Sequence, residues 1–149
     1  MSMSIAVSAI TVGLLLQTTF GGEPELVGRA SVSGMTLDRS GLTGDVAPGL
    51  PQSLLGGLSA IHYTGKGNRY CALSDRGPRD GAVPYACRVQ FLEIRVSGDQ
   101  SGGLDVSLES TALLRDARGT ALTGAADAFG AGSKRRFDPE GLAVNSEGN

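Results

Sequence analysis

Three short polar runs carry the residue types that could do chemistry. Ser74-Asp75-Arg76-Gly77-Pro78 ends one apolar stretch, Asp80-Gly81 leads through Tyr85 to Arg88, and Arg136-Phe137-Asp138-Pro139-Glu140-Gly141 opens another. Carboxylates gathered at strand ends can hold a hard cation such as calcium through oxygen. The same groups can serve as acid and base in hydrolysis. Each run also has an ordinary structural reading. Ser-Asp-Arg-Gly-Pro is a good turn sequence, with the aspartate capping the loop and the arginine pairing locally, and Asp-Pro-Glu-Gly makes a common β-turn. Ser59 and the sole histidine, His62, form no catalytic pair, because side chains three apart on a strand point to opposite faces. Ser59 also lacks a G-x-S-x-G elbow.

The elements that must position these groups read as short strands. Leu26–Val32 is a first candidate, and Asp38–Ser53, broken by Gly41, Gly44, Pro48, Gly49 and Pro51, reads as loop. Ser59–Tyr63 and Arg69–Asp75 flank the turn Thr64-Gly65-Lys66-Gly67-Asn68. In the second of these strands Cys71 and Leu73 share one face and Tyr70 and Ala72 the other, so both faces are apolar and the strand is expected between neighbours. Arg76–Ala86 is a loop, Arg88–Val96 a strand, and Ser97–Gly103 a turn cluster. Leu104–Glu109 alternates, with Leu104, Val106 and Leu108 inward. Arg115–Phe137 reads as an insertion loop with a basic end, and Leu142–Val144 as the start of a further strand before the turn Asn145-Ser146-Glu147-Gly148. The glycine-led start Gly57-Leu58-Ser59-Ala60-Ile61 returns as Gly141-Leu142-Ala143-Val144, with three other strands between them. Four strands per unit, restarting in the same way, is the pattern of a propeller blade carrying insertions. The fold class expected is therefore all-β and β-propeller-like, with antiparallel four-stranded blades. A hairpin turn needs a second strand, so the ring is expected to be incomplete in this chain.

Composition narrows the function classes. The chain has 149 residues, a net charge of −2 and 23 glycines. That length suits one domain. No basic field for nucleic acid and no polybasic membrane patch exists. Ile5–Leu16 is apolar apart from one serine, a threonine and a glycine, and no charge precedes Glu23. Such a run is too short to span a bilayer and fits the core of a secretory signal, expected over residues 1–22. The alternative is a buried first strand. Export would permit a disulfide between Cys71 and Cys87. A hairpin closed near Asp75 and Ala86 would leave the two cysteines about three residues out of register, beyond bridging distance, so unpaired thiols are expected.

In order and spacing, several of these segments resemble the esterase-like phytase family. They are Gly56-Gly57-Leu58-Ser59-Ala60-Ile61, Tyr70-Cys71-Ala72-Leu73-Ser74-Asp75-Arg76-Gly77, Arg88-Val89-Gln90-Phe91-Leu92-Glu93-Ile94 and Asp138-Pro139-Glu140-Gly141-Leu142-Ala143, with Asp38-Arg39-Ser40-Gly41-Leu42 ahead of them. Ala60 stands where that family has glycine, and the family's next strand, with a Ser-Asp-Glu motif, would follow Asn149. The resemblance implies that residues 23–149 are the N-terminal part of a phytase-like propeller domain. It implies an exported hydrolase of small-molecule esters or phosphoesters, with acids in the channel holding a metal and a water. Carried over by position, Asp75 and Glu140 would be catalytic, Asp138 and Glu140 would hold the metal, calcium being the candidate, and Arg76 and Arg136 would hold an anionic group. Two other readings stay open: a propeller that binds a ligand or partner without turnover, and a gene fragment without function.

Overall fold

In the computed structural model of the chain, residues 9–16, 25–96, 103–125 and 137–145 are described. Arg136 and the rest of the basic run, most of the turn between 97 and 103, the remainder of the expected signal segment and the turn residues after Asn145 lie outside them. The described residues form eight strands and no helix: β1 (Ala9–Leu16), β2 (Glu25–Ser33), β3 (Asp45–Ala47), β4 (Leu50–Pro51), β5 (Ala60–Tyr63), β6 (Arg69–Ser74), β7 (Arg88–Val96) and β8 (Leu104–Leu113). Among the described residues no helix is long and apolar enough to cross a membrane.

The centre is a four-stranded antiparallel meander in the order β5-β6-β7-β8. Its limits follow the residue pattern. β7 carries the β-branched and aromatic residues Val89, Phe91, Ile94 and Val96, β6 the apolar run Tyr70 to Leu73, and turn residues interrupt the chain on either side. Gly65 and Gly67 both take positive φ in the β5–β6 turn, which Thr64 Oγ1 closes by donating to Arg69 O at 2.9 Å. Cys71 through Ser74 are buried without a break, as expected for a strand covered on both faces. In β8, Leu104, Val106 and Leu108 turn inward while Asp105, Ser107 and Glu109 stay exposed, and the strand runs on to Leu113. β1 pairs antiparallel with β2 over Ala9↔Ser33 to Leu16↔Glu25. This places the last eight residues of the N-terminal apolar run Ile5–Leu16 in a strand. A parallel bridge, Arg29↔Gly103, ties β2 to the start of β8.

Alternation divides the sheet into two faces. On the first, Ala72, Leu92, Ile94 and Leu104 form the apolar cluster, with Ala30, Leu58 and Tyr70 packed against it. Farther along that face the residues turn polar: Ser74, Arg88, Gln90 and Thr111. The segment 36–55 lies over them. Arg88 and Asp38 form an ion pair whose side chains have no solvent exposure. Arg88 also donates to Gln52 O (3.1 Å) and Ala86 O (2.8 Å) and stacks 3.9 Å over the Tyr85 ring. Tyr85 Oη donates to the Leu54 and Leu55 carbonyls, and Ser74 Oγ to Leu55 O. Thr111 Oγ1 donates to Gln90 Oε1 at 2.6 Å. The polar atoms are therefore nearly all matched, as a buried network must be to hold its place.

Three expectations shift. The 38–53 segment is mostly loop but includes the short β3–β4 ladder. Leu142–Val144 is in no ladder, because no described strand lies alongside to complete its hydrogen bonds. Cys71 stands opposite Phe91 in the β6–β7 register, so Cys87 is one residue farther from pairing with it than expected. Both thiols are free and buried.

Candidate functional site

Asp75 follows the last residue of β6, where the chain leaves the sheet on the second face. The loop after it folds tightly. Gly77 has φ 65°, and a Cβ there would stand 2.2 Å from Tyr85 Cγ and Cδ1. Only glycine lets Tyr85 pass under the loop. Arg79 and Asp80 also take left-handed backbone, at φ 59° and 51°. That conformation is uncommon outside glycine and is held in place by its surroundings. It turns Asp80 back toward Arg76. Behind Arg76 lies Gly124, whose Cβ would be 2.7 Å from Arg76 Cα. The 115–125 segment thus backs the arginine from below. Its bridge Ala86↔Thr123 and the Phe137 N–H donation to Thr123 O at 2.9 Å bring the 137–145 segment alongside.

Asp75, Asp138 and Glu140 converge there. One ligand oxygen from each lies within 4.8 Å of the others, with Asp75 half-buried and the other two exposed. Two calcium–oxygen bonds of about 2.4 Å laid end to end span about that distance, so the donor set fits a single hard cation. Arg76 sits among the same carboxylates. Its Nε is 3.2 Å from Asp138 Oδ1 and 3.8 Å from Asp75 Oδ2, Nη1 is 3.2 Å from Asp80 Oδ1, and Nη2 is 3.9 Å from Glu140 Oε1. The buried Nε–H has no aligned hydrogen bond, so charge rather than direction holds the guanidinium. One arginine faces the four acids Asp75, Asp80, Asp138 and Glu140, which leaves the cluster negative and receptive to a further cation.

Of the residues carried from sequence, Asp75, Arg76, Asp138 and Glu140 come together, and Arg136 lies outside the described residues. Ser59 uses its N–H on Leu73 O at 2.8 Å and remains exposed, while His62 stands opposite Cys71 in the ladder. Two participants carry no site role in the sequence reading. Asp80 was part of a polar run whose return toward Arg76 depends on the loop's unusual backbone. Cys87, just before β7, places its thiol 3.0 Å from Asp75 O and 3.4 Å from Phe137 O. Burial, with Asp75 nearby, pushes that thiol up to about 11, so it stays protonated at neutral pH and can donate. Beside the acids, on the same face, an apolar cleft of about 260 Å³ runs between Leu73, Val89, Leu114, Leu122, Phe137 and Leu142.

Compared with known families, residues 53–149 match the phytase-like model, described as esterase-like activity of phytase. The chain belongs to the phytase-like family. Curated proteins and solved structures returned no match. The matched range holds Asp75, Arg76, Asp80, Cys87, Asp138 and Glu140 together with the whole four-stranded meander. In this phytase-like chain the acid cluster and the sheet that carries it therefore both lie within the matched residues. Asp38, which closes the buried pair with Arg88, lies upstream of the match.

Proposed function

We propose that the protein is an exported hydrolase of ester or phosphoester bonds, and that β5–β8 is one blade of a propeller whose channel mouth carries the Asp75–Asp138–Glu140 site. The convergence of these three carboxylates, brought from the end of β6 and from the 137–145 segment to within 4.8 Å, is the observation that carries this reading. The family match supports the ester chemistry. The N-terminal apolar run supports export.

Within this reading Asp75, Asp138 and Glu140 hold a divalent cation, calcium being the candidate. When bound, such an ion would polarise the scissile oxygen and acidify a water. The chain's own residues do the rest. Glu140 is the most exposed of the three and is placed to take a proton from an incoming water. Arg76 holds the carboxylates against mutual repulsion and can turn one amino group outward to an anionic substrate. The apolar cleft receives the hydrophobic part of the ester.

The test is hydrolysis of p-nitrophenyl acetate and p-nitrophenyl phosphate with calcium and after chelation, alongside terbium titration. The expected result is calcium-dependent release of p-nitrophenol, abolished in Glu140→Gln while the fold is intact. Absence of turnover on both esters would overturn the enzyme reading. Arg76, already among the acids, favours a second reading in which the cluster is a self-contained ion-pair patch of a binding propeller. That reading predicts no terbium binding.

A further inference from the structure

The two acid-bearing segments are far apart in sequence and share no strand ladder, yet their carboxylates meet. Cys87 lies at their junction. Its side chain is fully buried. Its N–H donates to Leu122 O, and its C=O accepts from Leu114 N–H, both at 2.9 Å, so the backbone of this residue is fixed by the 114–122 hairpin. From that fixed point the sulfur reaches the carbonyl of Asp75 at 3.0 Å and the carbonyl of Phe137, next to Asp138, at 3.4 Å. A thiol has one proton, so it donates to one carbonyl at a time or is shared between the two. Cys71, the other buried cysteine, donates instead to its ladder neighbour, at His62 O (3.6 Å).

The geometry points to Cys87 as a positioning residue that clasps the Asp75 and Asp138–Glu140 segments together and so sets the spacing of the three carboxylates. The inference rests on reading that cluster as the working site, and it concerns how the site is held. Burial and its contacts with these two carbonyls make the sulfur a hinge pin. Neither a nucleophile nor a disulfide partner is implied.

Cys87→Ala, Cys87→Ser and Cys71→Ala test the clasp. The last removes an equally buried sulfur from the same sheet. In Cys87→Ala, exchange of the Phe137 amide, which donates to Thr123 O, should quicken by about fivefold or more, the loss expected for one hydrogen bond. Cys71→Ala should leave it unchanged, and Cys87→Ser, which keeps a donor, should restore most of the protection. Terbium affinity should weaken in the same order. Should Cys87→Ala not fold, the infrared S–H stretch of Cys71→Ala reports on Cys87 alone, and a band shifted down from that of a free thiol is expected. Equal exchange in the two alanine variants, or an unshifted S–H band, would overturn the clasp. If wild-type protein binds no terbium, the cation reading falls, while the exchange pattern and the S–H band still decide on Cys87.

Discussion

The acid cluster holds its counter-charge within itself. Arg76 lies within 4 Å of Asp75, Asp80, Asp138 and Glu140, and a divalent cation entering between the same oxygens would meet that guanidinium at close range. At a few ångströms even water leaves about 1 kcal/mol between unit charges, and twice that against a divalent ion. Terbium carries three charges, so Arg76→Gln should tighten terbium binding by about a hundredfold, read from a luminescence titration. Weaker binding would mean that the hold of Arg76 on the carboxylates outweighs its repulsion of the ion. Glu140→Gln removes both a ligand oxygen and the base, so p-nitrophenyl ester turnover should fall by about a hundredfold or more with the melting temperature unchanged. Gly77 tests a different property. An alanine there would take positive φ and press its Cβ to 2.2 Å from the Tyr85 ring. Gly77→Ala should cost more than about 2 kcal/mol in urea unfolding. A smaller loss would mean that Tyr85 has room to move aside.

At the scale of elements, one loop is held to one strand by a buried ion pair. Asp38 and Arg88 are 50 residues apart, and both side chains are cut off from water. Removing one partner leaves the other charge stranded, at about 3–5 kcal/mol. Asp38→Asn should destabilise by about that much, and Asp38→Leu with Arg88→Met should recover most of it, because two apolar groups need no solvation. A double variant as unstable as the single one would show that the hydrogen bonds to Gln52 O and Ala86 O, and not the charge, dominate. The same pair marks where sequence reading stops. β7 could be placed residue for residue and β6 nearly so, because alternation and turn residues are local properties, while β8 could be placed at its start but runs past Glu109 to Leu113. The acids could be found by type and by their resemblance to a known family. That Arg88 lies inward could not, since arginine is ordinarily a surface residue and its partner comes from a distant loop. Cys87's two carbonyl contacts are likewise long-range, and Leu142–Val144 has strand-like residues without a described strand to pair with.

Across the whole molecule, two thiols and two phenols packed in or beside the sheet hold their protons more firmly than they would in water. Burial raises Cys71, Cys87, Tyr70 and Tyr85 above their ordinary values, with Cys87 reaching about 11. For each, the neutral form is the one the fold accepts. The unfolded chain releases thiol protons from about pH 9 and phenol protons from about pH 10, while the folded chain retains them. In that interval the unfolded state binds fewer protons, so stability falls as pH rises. The contribution is complete below pH 9 and is lost as pH climbs through the folded values. Urea midpoints should be level with respect to these four groups from pH 7 to about pH 9 and decline from there to pH 11 and beyond. Cys71→Ala should start lower, having lost a buried sulfur, yet decline less steeply, because one of the groups that drives the fall is gone. A midpoint that holds steady to pH 11 would mean that solvent reaches these thiols and phenols, and that the sheet is looser than its burial implies.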